Sequence, residues 1–282
     1  MRWLVLSLVM AWGCASTPVC PQRAMTPGPA FVWEVRGANG TMTLFGTHQA
    51  AAERDIPPSA TAALESADIF VAEADEPVNG ETYDDNLDLR EKLELPAGQS
   101  LMKMLPGNDY MELQQRLGTS NRELARMRPW VALSLLVRTV VDFPSPNMAT
   151  SLHDRAEKRN IAMEYLDTWM LQTAFLDMTV DAKDLSGALH DPNLACSFRA
   201  GADAYRAGFE AAFIKRPGGG PASTSAEAAA ITTREQVWTD KIVELLSRGK
   251  RVFVAIGVSN LVGPTGIAAR LEQAGYTVTR VR

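Results

Sequence analysis

Histidine is scarce in this sequence, with three residues in 282: His48, His153 and His190. A site that needs several imidazoles, as metal ligands or as acid–base groups, has to draw on that short set. Cysteine is equally scarce, with Cys14, Cys20 and Cys196, so a framework of several disulfides is excluded. Positive charge is nowhere concentrated: 28 basic residues mix with 33 acidic ones for a net charge of −5. With no basic stripe to follow a phosphate backbone, nucleic acid is excluded as a partner. Hydrophobic runs are short as well. Past the first twenty residues, Asn, Arg, Asp or Gly interrupts each run before the ~20 residues that a spanning helix needs. The glycines between Gly257 and Gly266 have neither the spacing nor the Lys-Ser or Lys-Thr of a phosphate-binding loop, which excludes a nucleotide site. No internal repeat in the range of about 20–50 residues marks a solenoid. What the chain does have is 46% hydrophobic residues, enough for a substantial core and against disorder.

The leading stretch begins with a positive charge at Arg2 and runs apolar from Trp3 to Trp12. It is too short to cross a bilayer and has the make-up of an export signal. Ala11-Trp12-Gly13-Cys14 is similar to a bacterial lipobox, in which the cysteine carries lipid and opens the mature chain. Lipidation of Cys14 is preferred here over simple cleavage. Either reading puts the protein in the periplasm, and the membrane is reached only through a lipid anchor. The Pro-bearing residues 21–30 read as a tether, which gives a signal at 1–20, a tether at 21–30 and a single domain over 31–282. In an oxidising compartment Cys20 and Cys196 can pair. Two unpaired thiols, with Cys196 buried, is the alternative.

Residues 31–36 and 41–45, joined by Gly37-Ala38-Asn39-Gly40, read as a β-hairpin. Pro57-Pro58 opens a helix, and the apolar strand 69–72 follows it and ends at Glu73, so this part has the pattern of a βαβ unit. Helical spacing dominates residues 100–141, a helix at 152–159 leads into a strand at 161–166, and Thr168 is placed to cap the next helix. The run RPGGGPASTS at 216–225 reads as a surface loop. A helix at 226–248, a strand at 251–256, a helix at 266–274 and a strand at 277–281 complete the chain. This C-terminal βαβ-like unit is too small to stand alone. The expected fold is therefore α/β with α+β character: a central mixed sheet built from both chain ends, with a largely helical middle packed on it or forming a lid.

Several of these strands end in polar groups, and such ends can converge on one crevice. His48 follows the second strand, Glu73 and Asp167 end two others, and Gly257 ends the late one. His153, on an amphipathic helix, and His190, in a polar loop segment, read as ordinary surface or satisfied residues.

The order of FVWEV, LFGT before the Pro-Pro helix, FVAEAD, YLDTWMLQ, the helix Arg234-x-x-x-Trp238 and FVAIGVSNLVG resembles the TraB/GumN family, whose eukaryotic relatives include the Tiki-type metal-dependent proteases. The resemblance spans residues 31–282. It implies a hydrolase of peptidase type with two Gly-x-x-His motifs whose histidines serve a divalent metal beside carboxylates. Here the first motif reads Gly46-Thr47-His48-Gln49, with the imidazole one place early, and the second reads Gly257-Val258-Ser259-Asn260, with an amide in its place. Asp167 stands where the family has Glu.

Carried onto this chain, the resemblance implies His48, Glu73 and Asp167 as metal ligands. Glu73 would take a proton from metal-bound water and Arg234 would steady the oxyanion. The amides Gln49 and Asn260 are weak ligands, and the remaining donors suit Mn²⁺ or Ca²⁺ better than Zn²⁺, unless no metal binds at all. The preferred expectation is an envelope protein of hydrolase ancestry with lost or altered catalysis, binding a peptide, a small ligand or another envelope protein. The alternative is an active metal-dependent peptidase. A metal-free hydrolase using Ser259 or Thr47 lacks a base paired to either. Nothing in the sequence sets the oligomeric state.

Overall fold

The computed structural model describes residue 20 and residues 25–75, 92–214 and 225–281, with the backbone alone for 225–228. The signal, Cys14 and the loop at 216–224 lie outside the described residues.

Strands β1 (Val32–Arg36) and β2 (Thr41–Thr47) form the expected hairpin, pairing Val32 with Phe45 and Arg36 with Thr41. Helix α1 (Pro58–Glu65) begins at a proline that needs no N–H there, and leads to β3 (Ile69–Asp75). From residue 101 come helices α2 (Leu101–Met104), α3 (Gly107–Leu117), α4 (Asn121–Arg126) and α5 (Pro129–Val140). After α6 (Met148–Lys158) comes β4 (Ala162–Thr168). Helices α7 (Trp169–Thr179), α8 (Ala182–His190) and α9 (Leu194–Arg206) complete the middle. The C-terminal part consists of α10 (Ser225–Ser247), β5 (Val252–Gly257), α11 (Val258–Leu261), α12 (Ile267–Gln273) and β6 (Thr277–Arg280). Side-chain caps start several helices where the sequence supplies a short polar residue. Thr168 accepts from the Leu171 N–H, Asn147 from Thr150 and Ser120 from Glu123.

The six strands form one mixed sheet in the order β4-β3-β5-β2-β1-β6. β3 pairs parallel with β4 and with β5, and β5 pairs parallel with β2, while β1 is antiparallel to both its neighbours. Five strands therefore run one way and β1 alone is reversed. β5 belongs to the C-terminal unit yet lies between β2 and β3, so the two chain ends share one sheet, as the sequence led us to expect. Its run Val252–Ile256 is buried throughout, which suits a central strand covered on both faces.

Two apolar clusters form. One surrounds the sheet and includes Phe45, Phe70, Phe253 and Trp238. The other lies within the helical middle and joins Leu101, Leu113, Leu124, Leu136 and Leu185. Residues 28–30, read as part of a tether, are hydrogen-bonded to the domain: the Gly28 N–H donates to Ala207 and Arg280 donates to the carbonyls of Pro29 and Ala30. Cys20 is joined to Cys196 of α9 by a disulfide.

Two strands run further than their apolar residues suggested. β3 continues to Asp75 and β4 to Thr168, because the ladder goes on pairing Ala74 with Asp167 and Asp75 with Thr168 after the side chains turn polar. Backbone hydrogen bonds hold a strand whatever its side chains, so hydrophobicity under-reads its end. Glu73 and Asp167 thus sit within their strands.

Candidate functional site

The parallel strands β2, β3, β4 and β5 deliver Thr47, Glu73, Asp167 and Gly257 to one edge of the sheet. Open parallel sheets carry ligands at this edge.

At the β2 end the chain is closed. Gly46 is closely packed, since a Cβ there would lie 3.1 Å from the Cβ atoms of both Phe31 and Val258, tighter than ordinary contact. The buried Tyr205 hydroxyl donates to the Gly46 carbonyl at 2.6 Å, and desolvation holds that phenol above its ordinary pKa. His48 leaves the strand on this side. Its ring stacks on Tyr205 at 5.4 Å and meets Phe213 edge-on at 5.6 Å, while Nδ1 accepts from the Ala50 N–H at 3.2 Å. Burial, helped by the charge of Arg206, pushes its pKa down to about 4, so the imidazole is neutral at pH 7. Gln49 is exposed in the turn that follows.

At the β3–β5 boundary the contacts differ. Glu73 Oε1 accepts from the Gly257 N–H at 2.5 Å and lies 3.3 Å from Asn260 Nδ2, which donates to it. Gly257 permits this approach, since a Cβ there would come within 3.1 Å of the same oxygen. Asn260, the amide in the second histidine's place, is thus brought onto Glu73. On β4 the buried Asp167 accepts from Arg234 Nε at 3.2 Å and from the Thr168 N–H at 3.2 Å. Arg234 projects from α10 with its guanidinium carbon 4.6 Å from the centroid of the Phe175 ring and 4.2 Å from that of Trp238.

Beside these groups opens a cavity of about 370 Å³, lined by Phe175 and Thr179 of α7, Ile231, Arg234, Glu235 and Trp238 of α10, and Ser259 and Asn260 of α11. Its size suits a small ligand or part of a peptide. Glu235 faces Arg270 at 3.5 Å.

The structure brings Glu73 to Gly257 and Asn260, and Asp167 to Arg234; it does not bring His48 to either carboxylate. Among the described residues, the one set of three His, Cys, Asp or Glu donors lying within 4.8 Å of one another is His153, Asp154 and Glu157 on α6. His48, Glu73 and Asp167 do not meet that distance, and each already has a partner of its own. This donor set therefore does not fit a divalent ion, whose catalytic sites need about three converging protein ligands. Nor does an imidazole border the cavity to serve Ser259 as a base. Of the other histidines, His153 meets Phe70 edge-on and His190 Nε2 bonds Asp109 at 3.0 Å.

Sequence reasoning did not find Phe175, Thr179, Ile231 or Glu235. A signal was present. Phe175 and Thr179 are four apart, as are Ile231 and Glu235, so each pair lies on one helix face. What was missing was knowledge that these two faces meet at a strand edge.

No curated protein and no solved structure matches the chain. The model of the TraB/PrgY/gumN family matches residues 31–280, nearly the whole of the structure from β1 to β6. By that match, this protein belongs to the TraB/PrgY/gumN family.

Proposed function

We propose that this protein is an exported binding protein that keeps a ligand crevice at the strand edge and has given up metal-dependent hydrolysis. The observation that carries this reading is the contact of Asn260 with Glu73. A carboxylate placed for metal chemistry instead accepts from Gly257 N–H and Asn260 Nδ2, so two neutral donors stabilise it without an ion. The cavity beside it has the mixture of aromatic walls and a few polar groups typical of a ligand pocket. An extended peptide or a segment of another envelope protein is the ligand. Export is supported by the apolar leader and by the disulfide between Cys20 and Cys196, a bond that lasts in oxidising compartments. Lipid on Cys14 would then hold the domain at a membrane surface.

The test is metal content of the chain lacking residues 1–14, after exposure to Zn²⁺, Mn²⁺ or Co²⁺ and extensive dialysis. We expect no stoichiometric ion at the strand edge. One ion per chain that is retained by His153→Ala and lost in Glu73→Gln would overturn the reading and restore the hydrolase. The His153 variant sets aside any ion held on α6.

A further inference from the structure

Helix α6 carries a set of donors that the strand edge does not use. His153, Asp154 and Glu157 each place one ligand atom within 4.8 Å of the others. The helix itself brings them together, because Glu157, four residues after His153 and three after Asp154, falls between them one turn further on. His153 and Asp154 are half-buried and Glu157 is exposed, so the set opens to solvent at the Glu157 side. The His153 ring lies edge-on to Phe70 of β3, with the centroids 6.5 Å apart. That contact restrains the imidazole beforehand, which lowers the ordering cost of binding.

The charges around the set call for a cation. Asp154 and Glu157 are like charges one turn apart, and Glu157 stands in the last turn of α6, where the helix dipole disfavours an anion. Neither carboxylate makes a hydrogen bond or an ion pair among the described residues. The arginines at this end of the helix are turned to other carboxylates, Arg155 to Glu53 at 2.5 Å and Arg159 to Glu65 at 3.7 Å. Lys158, although next to Glu157 in the chain, pairs with neither Asp154 nor Glu157. Nor is the imidazole committed, since its ring contact with Phe70 leaves the nitrogens without a hydrogen bond among the described residues.

We propose that His153, Asp154 and Glu157 hold a divalent transition-metal ion of the zinc class on the surface of α6, with water in the remaining positions. One imidazole and two carboxylates form a donor set that such an ion accepts, and the imidazole sets it apart from Ca²⁺ and Mg²⁺, which take oxygen ligands. Donors at about 2.0–2.1 Å from a tetrahedral zinc ion are roughly 3.3 Å apart, so small side-chain rotations close the set. The bound ion clips two turns of α6 and offsets both carboxylates. This site goes beyond the binding reading above and does not depend on it, since none of its residues borders the cavity.

The experiment is calorimetric titration of the chain lacking residues 1–14 with Zn²⁺, near neutral pH in a buffer that does not chelate metal. We expect saturation at one ion per chain. His153→Ala and Glu157→Gln, each checked for an unchanged far-UV spectrum, should bind about tenfold more weakly or worse, and Glu73→Gln should bind as the native chain does. Zinc should also raise the melting temperature of the native chain and leave that of His153→Ala unmoved. No saturable binding to the native chain, which needs no variant to fold, overturns the proposal. Binding that survives both α6 variants overturns it too, and if that ion is lost in Glu73→Gln the non-hydrolytic reading of the strand edge falls with it. Displacement of Zn²⁺ by an equal concentration of Ca²⁺ would show that oxygen donors alone hold the ion and would overturn the assignment to the zinc class.

Discussion

The β2 end and the β3–β5 end of this sheet edge start from similar material, an apolar strand running into polar residues, and end differently. Over β2, Tyr205 and Phe213 come down on His48, and Phe31 stacks on Tyr205 at 5.3 Å and meets Phe213 at 5.4 Å. The imidazole becomes part of an aromatic cluster. Over β3, β4 and β5, Glu73 and Asp167 pair with neighbours, and beside them helices α7 and α10 line a cavity that Arg234 borders. The difference teaches that a polar residue at a strand end is only offered to a site. The element that packs above it decides whether it is buried as structure or left for a ligand.

Breaking the closed half should have the largest effect. Tyr205→Ala removes a buried ring and leaves a cavity, for an expected loss of about 3–5 kcal/mol in urea unfolding. Tyr205→Phe, which keeps the ring and leaves the Gly46 carbonyl without its donor, should cost about 1 kcal/mol. If both variants cost the same, packing is not what closes this end.

The next effect is on pH dependence. His48 sits at about 4 in the folded chain, against about 6.5 unfolded, so the unfolded chain binds that proton more tightly. Its contribution is complete above about pH 6.5 and is lost as pH falls towards about 4, roughly 3 kcal/mol in all. His48→Phe keeps a ring and should remove that part of the slope; unfolding curves of both proteins across the window measure the difference. Superimposable slopes would mean the imidazole is solvated.

In the open half, smaller effects are expected. Gly257→Ala forces a Cβ against Glu73 Oε1 and should destabilise by about 1–2 kcal/mol through overpacking and a weakened N–H contact. A thermal scan showing no change would place Glu73 elsewhere. Glu73→Gln should be the mildest, within about 0.5–1 kcal/mol, because its amide oxygen can still accept from Gly257. A large loss on chemical unfolding would show that the charge itself holds β3 to β5.

Much of this architecture was legible in residues. Alternation and turn glycines gave the hairpin, Pro57-Pro58 gave α1, and the apolar run from Val252 gave β5, because each signal is local and set by backbone and side-chain preference. The candidate site was legible in part. Its location at the strand ends and the residues Glu73, Asp167, Arg234 and Asn260 came from strand order and from the family resemblance. The direction of His48 did not, since a residue just past a strand is released from the two-residue alternation and takes the face its neighbours allow.

The sequence by itself determined the element order, which resides in local period and turn residues, the amides at Gln49 and Asn260, and, through the match over residues 31–280, membership of one family. Only the tertiary structure decided that β5 enters between β2 and β3, that Asn260 meets Glu73, that α9 buries His48 and that Phe175 and Trp238 frame Arg234. The reason is range. Those contacts join residues far apart in the chain, and their energy depends on which faces are pressed together, a quantity that no local stretch of sequence contains.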